Sequence, residues 1–449
     1  MSARMQPIRL QMVLAAIAMM CAAVLTGCGA GVLAPAGTAA TSAPATIAAK
    51  PLTGMVMGGQ QPVAGVTLQL YQAGTSGYGS AAIPLGATAT TNAGGNFNLP
   101  SYTCTAGSQV YLVGTGGQPI TSVTNNNLAL MVGLGTCGGT YLSNFINVNE
   151  LTTVATVWAL APFMTGPANI GTSSTNTAGL ANAFAAINEL VATSNGTVPG
   201  PTLPTGATLP ATEINTLADI LEQCINSGGG VAGDSSGCGK LFNLAPNAAG
   251  TVFPTNTITA VMNIAQNPAR NVANLNKLRS ASPVFQPAFD VNTPPNAWTI
   301  AITYTGGGTL STPSSIATDA GGNVWIANSG SASVTKLDDT GALVFNSTAG
   351  GFSSPSAIAI DGSGDAWVAN AGNNTVTELG SAGLAGTAYS NNGLNSPKSI
   401  AIDGAGNVWV ANGGSSKVSA FTSSGSVLSG SPYTGAGTTT PVSVAVTPK

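Results

Sequence analysis

The side chains best equipped for chemistry in this 449-residue chain are six cysteines and a set of carboxylates that recur at a fixed interval. Asp319, Asp361 and Asp403 stand 42 residues apart. Each leads to a tryptophan and then an asparagine at constant spacing: Trp325 and Asn328, Trp367 and Asn370, Trp409 and Asn412. A carboxylate in such a place can ligate a cation, act as a general base, or accept hydrogen bonds from the backbone of a turn. The same residue in every repeat points to the last role. The sequence contains no histidine, which excludes Ser-His-Asp and Cys-His catalysis, His-ligated zinc and imidazole proton shuttling. We therefore expect no catalytic residue, no metal and no cofactor at these positions, and assign all nine repeat residues to structure.

Charge is scarce. Lys and Arg number 11 and Asp and Glu 14, so 6% of residues are charged, against about 25% in ordinary soluble domains. Phosphate binding needs clustered basic side chains, so nucleic acid is excluded as a partner. With 59 glycines and 27 prolines, the surface must be made of Ser, Thr, Asn and Gly, as in exported β-rich proteins.

Arg4 and Arg9 are the only charges before an apolar run, Leu10 to Val24, which is short for a membrane span. It ends in Leu25-Thr26-Gly27-Cys28, which resembles the bacterial lipobox. The resemblance implies a signal peptide over 1–27, cleavage before Cys28, acylation there and a lipid anchor in the membrane. Gly29 in place of aspartate favours the outer membrane. Cys21 leaves with the signal. Cys104, Cys137, Cys224 and Cys238 remain, an even number in an oxidising compartment, and read as disulfides. Three pairings are open; neighbour pairing fits the segment boundaries. Neither a CxxC spacing nor a histidine supports metal ligation.

The elements that position these groups fall into segments. Residues 28–50 are an Ala/Pro/Thr/Ser run, expected to be a flexible tether. Over 51–118, short alternating runs separated by Gly/Asn/Ser turns predict strands at Thr53–Val56, Pro62–Tyr71, Ala87–Thr91, Asn96–Leu99 and Gln109–Val113. The order G-x-V, PVAGVTLQLY, TTNAGGNF resembles the carboxypeptidase-regulatory-like, transthyretin-type β-sandwich, which implies a spacer or adhesion module. Over 119–296, helical spacing appears at Leu151–Trp158 behind an Asn149 cap, at Leu180–Val191, at Ile214–Ile225 and at Ile258–Ala265, with a new start after Pro268. Such stripes read as core.

Over 297–449, Pro313-Ser-Ser-Ile-Ala-Thr-Asp-Ala-Gly-Gly-Asn-Val-Trp-Ile-Ala-Asn returns from Pro355 and from Pro397, and a fourth copy starts at Pro441. Periods of about 40–50 residues made of short strands indicate propeller blades. The motif resembles the NHL repeat and the streptogramin (virginiamycin B) lyase-like propellers. The whole reads as mainly β with a helical middle segment: an N-terminal β-sandwich, an α-helical region and a C-terminal partial β-propeller of three to four blades. Trp298–Tyr304 and Val442–Val446 are expected to add strands to a closing blade; otherwise an edge stays open to self-association. The expected function is non-enzymatic binding of an envelope protein or a glycan. The alternative is a propeller enzyme, but the lyase-like family implies a histidine base with a divalent metal, and this sequence lacks the histidine. A gluconolactonase-like site would need Glu, Asn and Asp on a metal, and Glu378, the only glutamate of the repeats, falls late in its blade.

Overall fold

The computed structural model describes residues 45–449 except 121, 140–144, 385, 436–438 and 447–449. The signal peptide, Cys28 and most of the tether lie outside the described residues. The tether's last residues depart from expectation. β1 (Thr46–Ala49) pairs with β7 (Tyr102–Thr105), and Ala49 is buried. Four residues are too few for alternation to register against an Ala/Thr background.

Alternating burial builds the first sheets. β2 (Leu52–Gly58) lies between β10 (Phe145–Val148), parallel, and β6 (Asn96–Leu99), antiparallel, and also pairs with β3 (Gln61–Pro62). β4 (Thr67–Gln72), β5 (Ile83–Thr90), β8 (Gln109–Thr115) and β9 (Ala129–Thr136) form a second, antiparallel sheet in the order β5-β4-β8-β9. β2 and β4 bury every second side chain. β9 is buried along almost its whole length, because helices cover its second face. Gly133 is there because the covering helix leaves no room for a Cβ against Ile187.

Those helices are α1 (Glu150–Leu160), α2 (Thr177–Leu190), α3 (Ala211–Ile225), α4 (Gly237–Leu244), α5 (Thr257–Gln266) and α6 (Val272–Asn276), with a short hairpin of β11 (Met164–Gly166) and β12 (Asn169–Ile170) after α1. Asn149 caps α1 as its sequence suggests: its side chain accepts the Thr152 N–H, and Thr152 Oγ1 accepts the Asn149 N–H, both at 2.9 Å. α1 packs on α2, α3, α5 and β9, and even Glu150 and Thr152 are buried. One core joins sandwich and helices from Ala49 to Trp298. The expected division at 118/119 thus falls between β8 and β9, neighbours in one sheet. Trp298 also departs from expectation. It is fully buried in this first core, edge-on to Phe289, while Thr303 bridges to Thr208. Its apolar alternation is the same whichever core receives it.

The repeats fold as antiparallel blades in sequence order. Blade 1 is β13 (Pro313–Thr318), β14 (Val324–Asn328), β15 (Ser333–Leu337) and β16 (Leu343–Ser347). Blade 2 is β17 (Pro355–Ile360), β18 (Ala366–Asn370), β19 (Thr375–Leu379) and β20 (Thr387–Tyr389). Blade 3 is β21 (Pro397–Ile402), β22 (Val408–Asn412) and β23 (Lys417–Phe421), with Val427 and Tyr433 bridging to β23 where a fourth strand would lie. Each blade has a front, towards the preceding blade, and a back, towards the next. Trp325, Ala327 and Val334 on the back of blade 1 meet Phe352, Ile358 and Val368 on the front of blade 2. Trp367, Ala369 and Val376 meet Leu394, Ile400 and Val410 in the same way.

Candidate functional site

The recurring aspartate closes the turn between the first two strands of each blade. Asp319 Oδ1 accepts the N–H groups of Gly321 and Asn323, both at 3.0 Å. Asp361 accepts from Ser363 and Asp365, and Asp403 from Ala405 and Asn407, at 2.9–3.0 Å. Gly322, Gly364 and Gly406 complete these turns with φ of 82°, 85° and 82°, which side-chain-bearing residues rarely adopt. The second carboxylate oxygen accepts the indole N–H of Trp325, Trp367 or Trp409 at 3.0, 3.0 and 2.9 Å. A buried indole donor is thereby satisfied. Trp325 and Trp367 are fully buried, whereas Trp409 stays partly exposed and stacks on Tyr433 at 5.4 Å.

The recurring asparagine is buried and ties three strands together. Asn328, Asn370 and Asn412 donate to Thr335 Oγ1, Thr377 Oγ1 and Ser419 Oγ at 2.9, 3.0 and 2.9 Å. Their side-chain oxygens accept the N–H of Ser311, Ser353 and Asn395 in the strand-entry loops. The hydroxyl partners had gone unremarked in the sequence, although they too recur every 42 residues.

The blades differ in charge. In blade 1, Lys336 pairs with Asp319 Oδ2 at 3.2 Å and lies 4.5 Å from the Trp325 ring centroid. Burial pushes the Asp319 carboxyl up, but bonds from Trp325, Asn323 and Lys336 outweigh it and hold the group well below the usual carboxylate range. In blade 3, Trp409 and Asn407 hold Asp403 down at about 2. Blade 2 has Asp365 where the others have Asn323 and Asn407, and Glu378 where blade 1 has Lys336. The hairpin register sets Glu378 opposite Trp367, so Asp361, Asp365 and Glu378 bring oxygens within 4.8 Å of one another. Among the described residues this is the group that could hold a cation. Late position in the blade had hidden that proximity. Glu378 also accepts the Tyr389 hydroxyl at 2.7 Å; burial first, and then this bond to a carboxylate, push the phenol up to about 12.

Outside the repeats, Cys104–Cys137 and Cys224–Cys238 are disulfides between buried residues. Glu150 is fully buried with one oxygen accepting the Gly59 N–H at 2.7 Å, and burial raises its carboxyl to about 8. Asp219 on α3 accepts the N–H groups of Val284 and Phe285 at 2.8 and 2.9 Å, and burial raises it to about 6. A cleft of about 530 Å³ opens on the back of blade 3, between Asp403, Asn407 and Trp409 on one side and Val444–Val446 on the other.

No protein-family model and no curated protein matches the chain. Among solved structures it is similar to a streptogramin B lyase at 20% identity, over 27% of this chain and 40% of that one, with a TM-score of 0.24. A virginiamycin B lyase from Staphylococcus aureus gives 17% identity over 26% and 40%, with a TM-score of 0.23. Hydrazine synthase from Kuenenia stuttgartiensis gives 20% over 26% and 35%, with a TM-score of 0.25. The chain thus spans less than half the length of these structures. The blade topology rests on the sheets of this chain itself.

Proposed function

We propose that the protein is a non-enzymatic, lipid-anchored component of the cell envelope, whose propeller surface binds an envelope protein or a glycan. The observation that carries this reading is the use made of the repeat's polar groups. Every Asp and Asn of the motif is committed to a turn, an indole or a strand-tying hydroxyl, leaving the blades as scaffold. The disulfides suit an oxidising compartment, and Leu25-Thr26-Gly27-Cys28 supplies the anchor. The blade 2 carboxylates favour a second reading, a metal-dependent propeller enzyme of the lyase-like or gluconolactonase-like kind. Fractionation tests the first. The wild type should sediment with outer membranes, and Cys28→Ala should be released or left unprocessed. Wild-type protein found soluble with its signal intact would overturn the anchored reading.

A further inference from the structure

We propose that the cleft between α2 and blade 1 binds an amino sugar, held through its protonated amine. The inference goes beyond the envelope reading: the cleft can fail while the anchor and the propeller surface stand, and the reverse.

The cleft holds about 240 Å³ and is built from three elements. Gln109 stands at the end of the β8–β9 ladder, Asn182, Asn188 and Glu189 on α2, and Asp339 in the turn between β15 and β16. Ala181 and Ala185 share the α2 face with Asn188, at spacings of four and three. Their small side chains keep the groove open.

Gln109 calls for a ligand. Its side chain is 6% exposed and lines the cleft. Nε2 donates to Thr136 Oγ1 at 3.2 Å, but Oε1 is buried and accepts nothing among the described residues. Buried carbonyl oxygens are normally paired, so the cleft is short of a donor at this point.

Charge selects the kind of donor. Glu189 is 4% exposed, and its Oε2 accepts the Tyr304 hydroxyl at 2.6 Å. Burial raises the Glu189 carboxyl, the Tyr304 bond opposes this, and repulsion from Asp338 and Asp339 adds to the rise. No Lys or Arg is among the described residues lining the cleft. Anions are therefore repelled and cationic donors attracted. A bare metal ion does not fit. Among the described residues, the three carboxylates that gather within 4.8 Å of one another belong to blade 2, so Glu189, Asp338 and Asp339 do not close on one ion. An ammonium group needs no such convergence, because its three N–H donors point apart. The volume lies below the roughly 300–1,000 Å³ of pockets for drug-sized ligands and suits one sugar ring. Its amine meets Glu189 and Asp339, one of its hydroxyls supplies Gln109 Oε1, and the amides of Asn182 and Asn188 both donate to and accept from the others.

The test is titration calorimetry of the full chain with D-glucosamine at neutral pH. Glucosamine should bind, and uncharged glucose and N-acetylglucosamine should bind at least about tenfold more weakly. Asp339→Asn changes an exposed turn, so it should weaken glucosamine binding about tenfold and leave the melting profile unchanged. Gln109→Met removes the bare acceptor at similar side-chain length and should weaken binding while the circular dichroism spectrum is retained. No glucosamine binding at millimolar concentration would overturn the proposal. So would equal affinity for glucose, or binding indifferent to Asp339→Asn and Gln109→Met. Binding of Ca²⁺ but not of glucosamine, lost in Asp339→Asn, would replace it with a metal site.

Discussion

Between Ala49 and Trp298, apolar side chains from four described sheets and from the helices packed on them meet in one core held by two disulfides. Between Pro313 and Val446 they meet at the seams between repeats, where each blade buries the apolar face of its neighbour. The first arrangement makes stability a property of the whole region. The second makes it a nearest-neighbour sum, in which position along the stack matters as much as residue type. The three repeat tryptophans show this: with the same Asp partner, Trp325 and Trp367 are buried against the blade that follows, while Trp409, in the last of the described blades, is partly exposed.

The sharpest way to break the comparison is to truncate those rings. Trp367→Ala should destabilise the repeats by about 3–5 kcal/mol, as large-to-small core changes do. Trp409→Ala should cost about 1–2 kcal/mol, because its ring is partly in solvent already. Chemical denaturation followed by blade-specific proteolysis measures both, and equal losses would contradict the seam picture.

In the first region the disulfides should come next. Replacing both Cys224 and Cys238 by Ala should cost about 3 kcal/mol, from a closed loop with a sequence separation of 14. The blades should melt unchanged. Thiol labelling of the unfolded, unreduced chain should find none of the four bridge cysteines reactive.

A smaller effect follows from Glu150. Its folded-state value of about 8 lies above the ordinary 4.5, so the folded chain keeps a proton that the unfolded chain releases. Its contribution is complete below about pH 4.5 and is lost as the pH rises towards 8. Asp219, at about 6, adds to the lower part of that window. Glu150→Gln should flatten the decline between pH 5 and 8 in thermal melts, while the blades respond little over the same range. Smallest is Ser356→Ala. It removes the hydroxyl that donates to the Pro397 carbonyl across the second seam at 2.6 Å, a loss of about 1 kcal/mol.

These regions also differed in how far they could be read from residues alone. The blades were legible because repetition marks a register: strands, turn aspartates and buried tryptophans all fall where a 42-residue period puts them. Four of the six helices showed apolar spacing, and Asn149 showed its cap. β9 was missed because Ala-Leu-Met-Val-Gly-Leu-Gly-Thr is covered on both faces and does not alternate. α4 was missed because Gly237 and Gly239 open it, and its Ser236 cap, accepting the Gly239 N–H at 2.8 Å, was not recognised. The blade 2 carboxylates were separable in sequence and joined only by the β18–β19 register.

The central claim is that the repeat carboxylates build blades and perform no chemistry. The most direct test measures two things on wild type and Asp361→Ala: stability of the repeats, and turnover of a streptogramin B depsipeptide and a simple lactone with Mg²⁺, Mn²⁺ or Ca²⁺ present. The account predicts no turnover by either protein and a less stable variant, since the Trp367 indole and two turn N–H groups lose their acceptor. Metal-dependent turnover by the wild type, abolished in an Asp361→Ala protein of unchanged stability, would contradict it.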